Sequence, residues 1–95
     1  MTIFVDADSC PVRIREIICK TAKRLKVQAV FAANRPIPIP KNSYCISVIT
    51  EAGDQAADMY ILAHAVQGDM VITRDIPLAK QLVEAHINVI NDRGV

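Results

Sequence analysis

Short apolar runs alternate along this chain with longer stretches in which apolar residues recur every three or four positions. Residues 2–6, with Ile3-Phe4-Val5 at their centre, are β-branched or aromatic and bounded by turn formers, which predicts a buried strand. Val27–Ala33, Tyr44–Ile49, Met70–Thr73 and Ile87–Ile90 repeat that signature and predict four more. The first intervening stretch predicts a helix from about Val12 to Leu25, with Ile14, Ile17, Ile18, Thr21 and Leu25 on one stripe. Asp8 or Ser9 is placed to cap it, with Pro11 in its first turn. A second helix is expected from near Asp54 to about Val66, with Gly68 just past its end. A third starts at Asp75 or Ile76, carries Pro77 in its first turn and Leu78, Leu82 and Val83 inside, and ends near Ala85. Pro36, Pro38 and Pro40 at alternate positions forbid helix and interior strand, so residues 36–40 read as a stiff extended loop.

Strands alternating with helices imply a mostly parallel sheet with right-handed crossovers. The expected architecture is a small doubly wound α/β fold, five strands in the order 3-2-1-4-5 with helices on both faces. There is no repeat or linker, so residues 1–95 are read as one domain. Ligands of such sheets bind beyond the carboxyl ends of the strands, where the strand order reverses. Strands 1 and 4 are neighbours at that point. Asp6 and Asp75 follow them, so the topology alone should bring these two acids together.

Composition narrows the class. Apolar residues make up 52% of the chain, which favours a packed core over disorder. No apolar run approaches the ~18 residues of a membrane span. Residues 1–11 carry acids where a signal peptide carries bases. The expectation is a cytoplasmic protein with no membrane partner. Cys10, Cys19 and Cys45 are odd in number and form no C-x-x-C, which argues against a disulfide frame and a zinc site. The net charge of +1 excludes nothing. Arg13, Arg15, Lys20, Lys23, Arg24 and Lys26 nonetheless crowd one helix against a single acid, Glu16. That face reads as solvated surface, with nucleic-acid contact as the alternative.

The candidate chemistry lies in the acids. Asp6 ends a buried strand two positions before any cap. Asp58 lies one turn before Ile61, Leu62 and Ala65, at the head of an apolar stripe, with Asp54 one turn earlier. Desolvating a carboxylate is costly unless something compensates it. A cation shared by Asp6, Asp58 and Asp75, with Asp8 beside them, would do so. The competing reading is helix capping for Asp8 and Asp75 and a first-turn acid for Asp54. An all-carboxylate site suits Mg²⁺ or Mn²⁺ rather than zinc, and the chemistry that follows is phosphodiester hydrolysis. Thr73, Asn34 and Arg35 stand near the same edge as candidate substrate-binding residues, and Arg74 is a further candidate phosphate contact. Cys10 near a helix start invites a reactive thiol, but Asp6 and Asp8 disfavour a thiolate, so all three cysteines are read as packing. His64 and His86 are expected on helices away from the acidic edge.

Asp6-Ala7-Asp8-Ser9-Cys10-Pro11, Gly53-Asp54 with Ala57-Asp58, Thr73-x-Asp75-Ile76-Pro77-Leu78-Ala79 and Arg93-Gly94 together resemble the bacterial YaiI/YqxD family across essentially the whole chain. That family is grouped by similarity with the PIN-like nucleases, whose clustered acids bind Mg²⁺ or Mn²⁺ and cut RNA or DNA. The resemblance implies Asp6 as the strand-1 acid, Asp58 as the helix acid in place of the commoner glutamate, Asp75 as the acid after strand 4, and Asp8 as an accessory ligand. Asp92 stands where relatives often carry proline. The resemblance also implies a mostly helical continuation beyond Val95, and exposed apolar surface in the short chain would promote a homodimer. The expected function is a Mg²⁺- or Mn²⁺-dependent nuclease acting on RNA rather than DNA. Two alternatives remain: a phosphatase of the haloacid-dehalogenase type with Asp6 as nucleophile and Asp8 as acid/base, and a non-catalytic nucleic-acid- or protein-binding domain.

Overall fold

The computed structural model describes residues 1–40, 42–50 and 56–91. Its five strands are β1 (Thr2–Asp6), β2 (Gln28–Ala33), β3 (Cys45–Ile49), β4 (Met70–Ile72) and β5 (Asn88–Ile90). They form one sheet in the order β3-β2-β1-β4-β5, and all four pairings are parallel. The helices are α1 (Val12–Leu25), α2 (Ala56–His64) and α3 (Ile76–Glu84). The expected doubly wound topology is therefore the one observed. No helix among the described residues is long and apolar enough to cross a membrane.

The pleat sorts each strand onto two cores. Ile3 and Val5 of β1, with Ala29, Phe31 and Ala33 of β2, face α1 and pack with Ile18, Cys19 and Ala22. Phe4, Val30 and Ala32 face the other way and pack with Ile61 of α2 and Leu78 and Leu82 of α3. A central strand of a parallel sheet is covered on both faces, so its sequence reads as a continuous apolar run rather than an alternating one. The central strands end on one rim, and the residues just past those ends are the ones free to meet a ligand.

The helix periods are as expected, but the phase of α1 is not. Ile17 and Leu25 of α1 are about half exposed, at 50% and 54%. The inward stripe is Arg15, Ile18, Cys19 and Ala22, with Ile14 partly buried. The stripe is turned by about one residue because Arg15, expected in the solvated basic face, is buried. Its guanidinium donates to the Cys10 carbonyl (Nε, 3.1 Å) and the Pro38 carbonyl (Nη1, 2.8 Å). Those acceptors belong to loops that no periodicity in the helix reveals. Arg15 thereby ties the proline-rich segment to the start of α1. Pro11 occupies the N-cap position of α1, so neither Asp8 nor Ser9 is its N-cap residue. Both lie in a short 3-10 turn, Ala7–Ser9, between β1 and α1. In α3, Val83 is exposed while Leu78 and Leu82 are buried. The second helix ends at His64, before Val66, and its expected start near Asp54 lies outside the described residues. His86 follows α3 in a left-handed conformation (φ 63°), not on the helix.

Replacing Arg15 by methionine removes two hydrogen bonds from a charged donor while keeping the bulk of the side chain. The expected cost is about 2–4 kcal/mol of unfolding free energy by urea titration, with faster amide exchange at Ile37 and Ile39. An unchanged midpoint and exchange pattern would show that Arg15 does not secure the loop.

Candidate active site

Each functional side chain is placed by the end of a strand or the start of a helix. β1 carries Asp6 to the rim, where the residue is only 7% exposed. β4 ends beside it, and Thr73 continues its ladder by donating from its backbone to the Ile90 carbonyl of β5. The buried Thr73 hydroxyl then joins two elements. It donates to Asp6 Oδ2 at 3.0 Å and accepts from the Asp75 backbone N–H at 3.0 Å. Its one proton is committed to Asp6, so in this arrangement it positions the rim.

Asp75 is the N-cap of α3, as expected, and its Oδ1 accepts from the Leu78 N–H at 2.9 Å. Pro77 sits in the first turn, where no N–H is needed. Asp58 comes from the first described turn of α2 and is half-buried. Its carboxyl is pushed up from 3.8 to about 7 by burial, by a hydrogen bond with the Asp75 side chain, and by the charges of Asp6, Asp75 and Asp8. Two carboxyl groups can share a hydrogen bond only if one carries a proton. Below about pH 7 Asp58 therefore carries the proton of this hydrogen bond, at the head of the α2 stripe.

Asp8, in the turn after β1, faces the end of β2. Its Oδ2 accepts from the Asn34 N–H at 3.2 Å, and its Oδ1 lies 3.6 Å from Arg35 Nε. Asn34 and Arg35 are thus brought to the rim through Asp8, Asn34 by its backbone and Arg35 by its guanidinium. Asp6, Asp8, Asp58 and Asp75 share one field although they come from three separate stretches of the chain. Asp54 and Asp92 lie outside the described residues.

The donor set is all oxygen and suits a hard cation. Its electrostatics suit one too, since a cation would relieve the mutual repulsion that raises the proton affinity of Asp58. Among the described residues, however, no three His, Cys, Asp or Glu side chains stand arranged to hold a metal ion. Asp8 is turned to Asn34 and Arg35, and Asp75 gives one oxygen to Leu78 and shares a proton with Asp58. The fit is one of donor chemistry and charge, and loading would require that proton to leave and those carboxylates to turn.

The remaining candidates play other parts. Cys10, Cys19 and Cys45 are all buried. Burial and the neighbouring Cys45 push the Cys19 thiol up to about 12, so it stays protonated and packs. His64 is exposed, stacks on Tyr60 with ring centroids 4.1 Å apart and places Nδ1 2.8 Å from the Tyr60 carbonyl. One buried acid was not singled out in the sequence. Asp69, at the opposite end of β4, accepts from the Thr2 and Val66 N–H groups at 2.9 and 3.0 Å and joins the start of β1 to the end of α2. A hint lay in its place between Gly68 and a strand, where a loop acid often binds nearby amides. Between α2 and α3 a groove of about 250 Å³ opens beside Asp58 and Asp75; it is lined further by Met59, Leu62, Pro77, Leu78 and Gln81. Met59 and Gln81 had no signal in the sequence, because neither carries chemistry alone.

Comparison with known proteins agrees with the motif reading. Residues 4–95 match the family described as uncharacterized BCR, YaiI/YqxD family. A UPF0178 protein of Treponema denticola is 60% identical over 94 residues, covering 99% of this chain and 59% of that one. Its counterpart in Treponema pallidum is 56% identical, covering 99% and 53%. One from Syntrophobacter fumaroxidans is 50% identical over 95 residues, covering 99% and 61%. The chain therefore spans between about half and three fifths of the length of these relatives. No solved structure matches it.

Two outcomes are expected from this geometry. The folded chain binds a proton at Asp58 more tightly than the unfolded chain does. Its contribution to stability is therefore complete below pH 3.8 and is lost as pH rises toward about 7. Chemical denaturation without divalent cations should show a loss on the order of 1–2 kcal/mol across that window, once solvent screening of a half-exposed group is allowed for. Asp58→Asn should abolish this slope; a slope that survives the substitution belongs to another group. Thr73→Val keeps the shape but leaves Asp6 without this donor and the Asp75 N–H without its acceptor. It should cost about 1–3 kcal/mol in the same assay.

Proposed function

The chain belongs to the YaiI/YqxD family, and from that footing we propose that its acidic rim is a Mg²⁺- or Mn²⁺-dependent site for hydrolysing phosphodiester bonds in RNA. The observation that carries the proposal is the state of Asp58. Its carboxyl is held among three other acids from β1, the turn after it and the start of α3, at a cost visible in its raised proton affinity. Helix capping accounts for Asp75 but not for Asp58, which is loaded by burial first and by the other acids after it. The PIN-like layout implied by the motifs supports the same reading.

Asp6, Asp58 and Asp75 would hold the cation, with Asp8 as accessory. When bound, such an ion supplies charge stabilisation for a phosphoryl oxygen and a more acidic water. The chain's own residues do the rest. Thr73 fixes the Asp6 carboxylate through its hydroxyl and links it to the first turn of α3. The Asp58–Asp75 pair gives up its proton on loading, so binding strengthens as pH rises through about 7. Arg35, exposed beside Asp8, offers a positive charge at the rim for a substrate phosphate.

Mn²⁺-dependent cleavage of a labelled RNA oligonucleotide should fall at least ~100-fold in Asp58→Asn, with the far-ultraviolet circular dichroism unchanged. Millimolar Mg²⁺ or Mn²⁺ should raise the Tm of the unsubstituted chain by several degrees and that of the variant by less. Undiminished cleavage by the variant, or a Tm insensitive to either metal, would count against the proposal. A phosphoryl group trapped on Asp6 would favour the phosphatase chemistry instead.

A further inference from the structure

The groove between α2 and α3 is continuous with the acidic rim, since Asp58 and Asp75 line its head. Its walls are the exposed Met59, the half-buried Leu62, the exposed Pro77 and the buried Leu78. Gln81, exposed one turn along α3 from Leu78, places the one side-chain amide among the described residues of that lining. The volume of about 250 Å³ falls below the roughly 300–1,000 Å³ of sites for drug-sized molecules and suits one flat ring system. The arrangement is a half-open groove with apolar side chains and an amide on its walls and carboxylates at its mouth.

We infer that this groove is a subsite for a single unstacked nucleobase, and that Gln81 reads its edge. The inference rests on the proposed phosphodiester chemistry, because the acids at the mouth are where the adjoining phosphate would lie. A base has two apolar faces, which Met59, Leu62 and the Pro77 ring can cover. A glutamine amide offers one donor and one acceptor side by side, matching N7 and the N6 amino group of adenine. A base stacked in a duplex has its faces covered, so the substrate is single-stranded at this position and adenine is preferred there.

The test is a titration followed by NMR in Mg²⁺ buffer, using the four 5′-mononucleotides as probes and ribose 5-phosphate as a control without a base. The Met59 and Leu62 methyl signals and the Gln81 side-chain amide should shift with adenosine monophosphate and stay still with ribose 5-phosphate. Met59→Ala should weaken adenosine monophosphate about fivefold or more. Gln81→Leu should erase the difference between adenosine and the other nucleotides. Equal shifts with ribose 5-phosphate, no shift at these groups, or unchanged affinities in both variants would overturn the inference. Movement of the same signals with protein concentration alone would also overturn it and put a second copy of the chain in the groove. Empty grooves in a chain whose cleavage is abolished by Asp58→Asn sink the subsite alone. Cleavage that survives Asp58→Asn sinks the nuclease proposal, whatever the nucleotides do.

Discussion

Like charges brought together in a partly desolvated place cannot all stay ionised, and that constraint governs the rim of this sheet. Asp58 bears most of the load, through its burial and through the charges of Asp6 at the end of β1, Asp8 in the turn after it and Asp75 at the start of α3. A proton shared with Asp75 is one way to relieve the repulsion. A divalent cation would be another, and the two would compete for the same oxygens. A fold that needed these acids only as caps would have no reason to gather them.

The scaffold makes the gathering possible with little special geometry. A doubly wound order puts β1 and β4 side by side at the point where the strand order reverses. The chain therefore leaves the two strands in opposite directions and opens a crevice between the segments that follow. Thr73 spans that crevice with one hydroxyl, donating to the acid of β1 and accepting from the first residue of the next helical segment. Its position is rigid because its own backbone is still paired with β5. On the other side, Asp8 is held to the end of β2 through Asn34 and Arg35. The site is thus pinned from three strands, while Arg15 secures the segment beyond β2 by binding its carbonyl at Pro38.

Much of this was legible in the residues, and the limits fall in identifiable places. Apolar runs such as Ile3-Phe4-Val5 report strands whatever their neighbours do, because a strand covered on both faces must be apolar on both. The period of α1 was visible, but its phase was set by Arg15. A buried guanidinium is tolerable only because two loop carbonyls receive it, and those carbonyls are brought close by the fold. Ile17 and Leu25 consequently face outward although the periodicity placed them inside. The same holds for Asp8. Its spacing before a helix suggested a cap, and its actual partners lie at the end of β2, 26 residues away.

By itself the sequence determined the strand and helix order, the doubly wound topology, the family, and the identity of the acids that follow β1, open α3 and head the α2 stripe. The order and topology are consequences of local period and of handedness rules that act between neighbouring elements, while the family follows from the motifs around the acids. Only the tertiary structure decided which acid bears the strain, that Thr73 gives its proton to Asp6, and that Met59 and Gln81 share a groove with Asp58 and Asp75. Charge repulsion, desolvation and shape depend on distances through space between segments far apart in the chain. No pattern along one dimension encodes those distances, so they came into being only when the sheet closed the gaps.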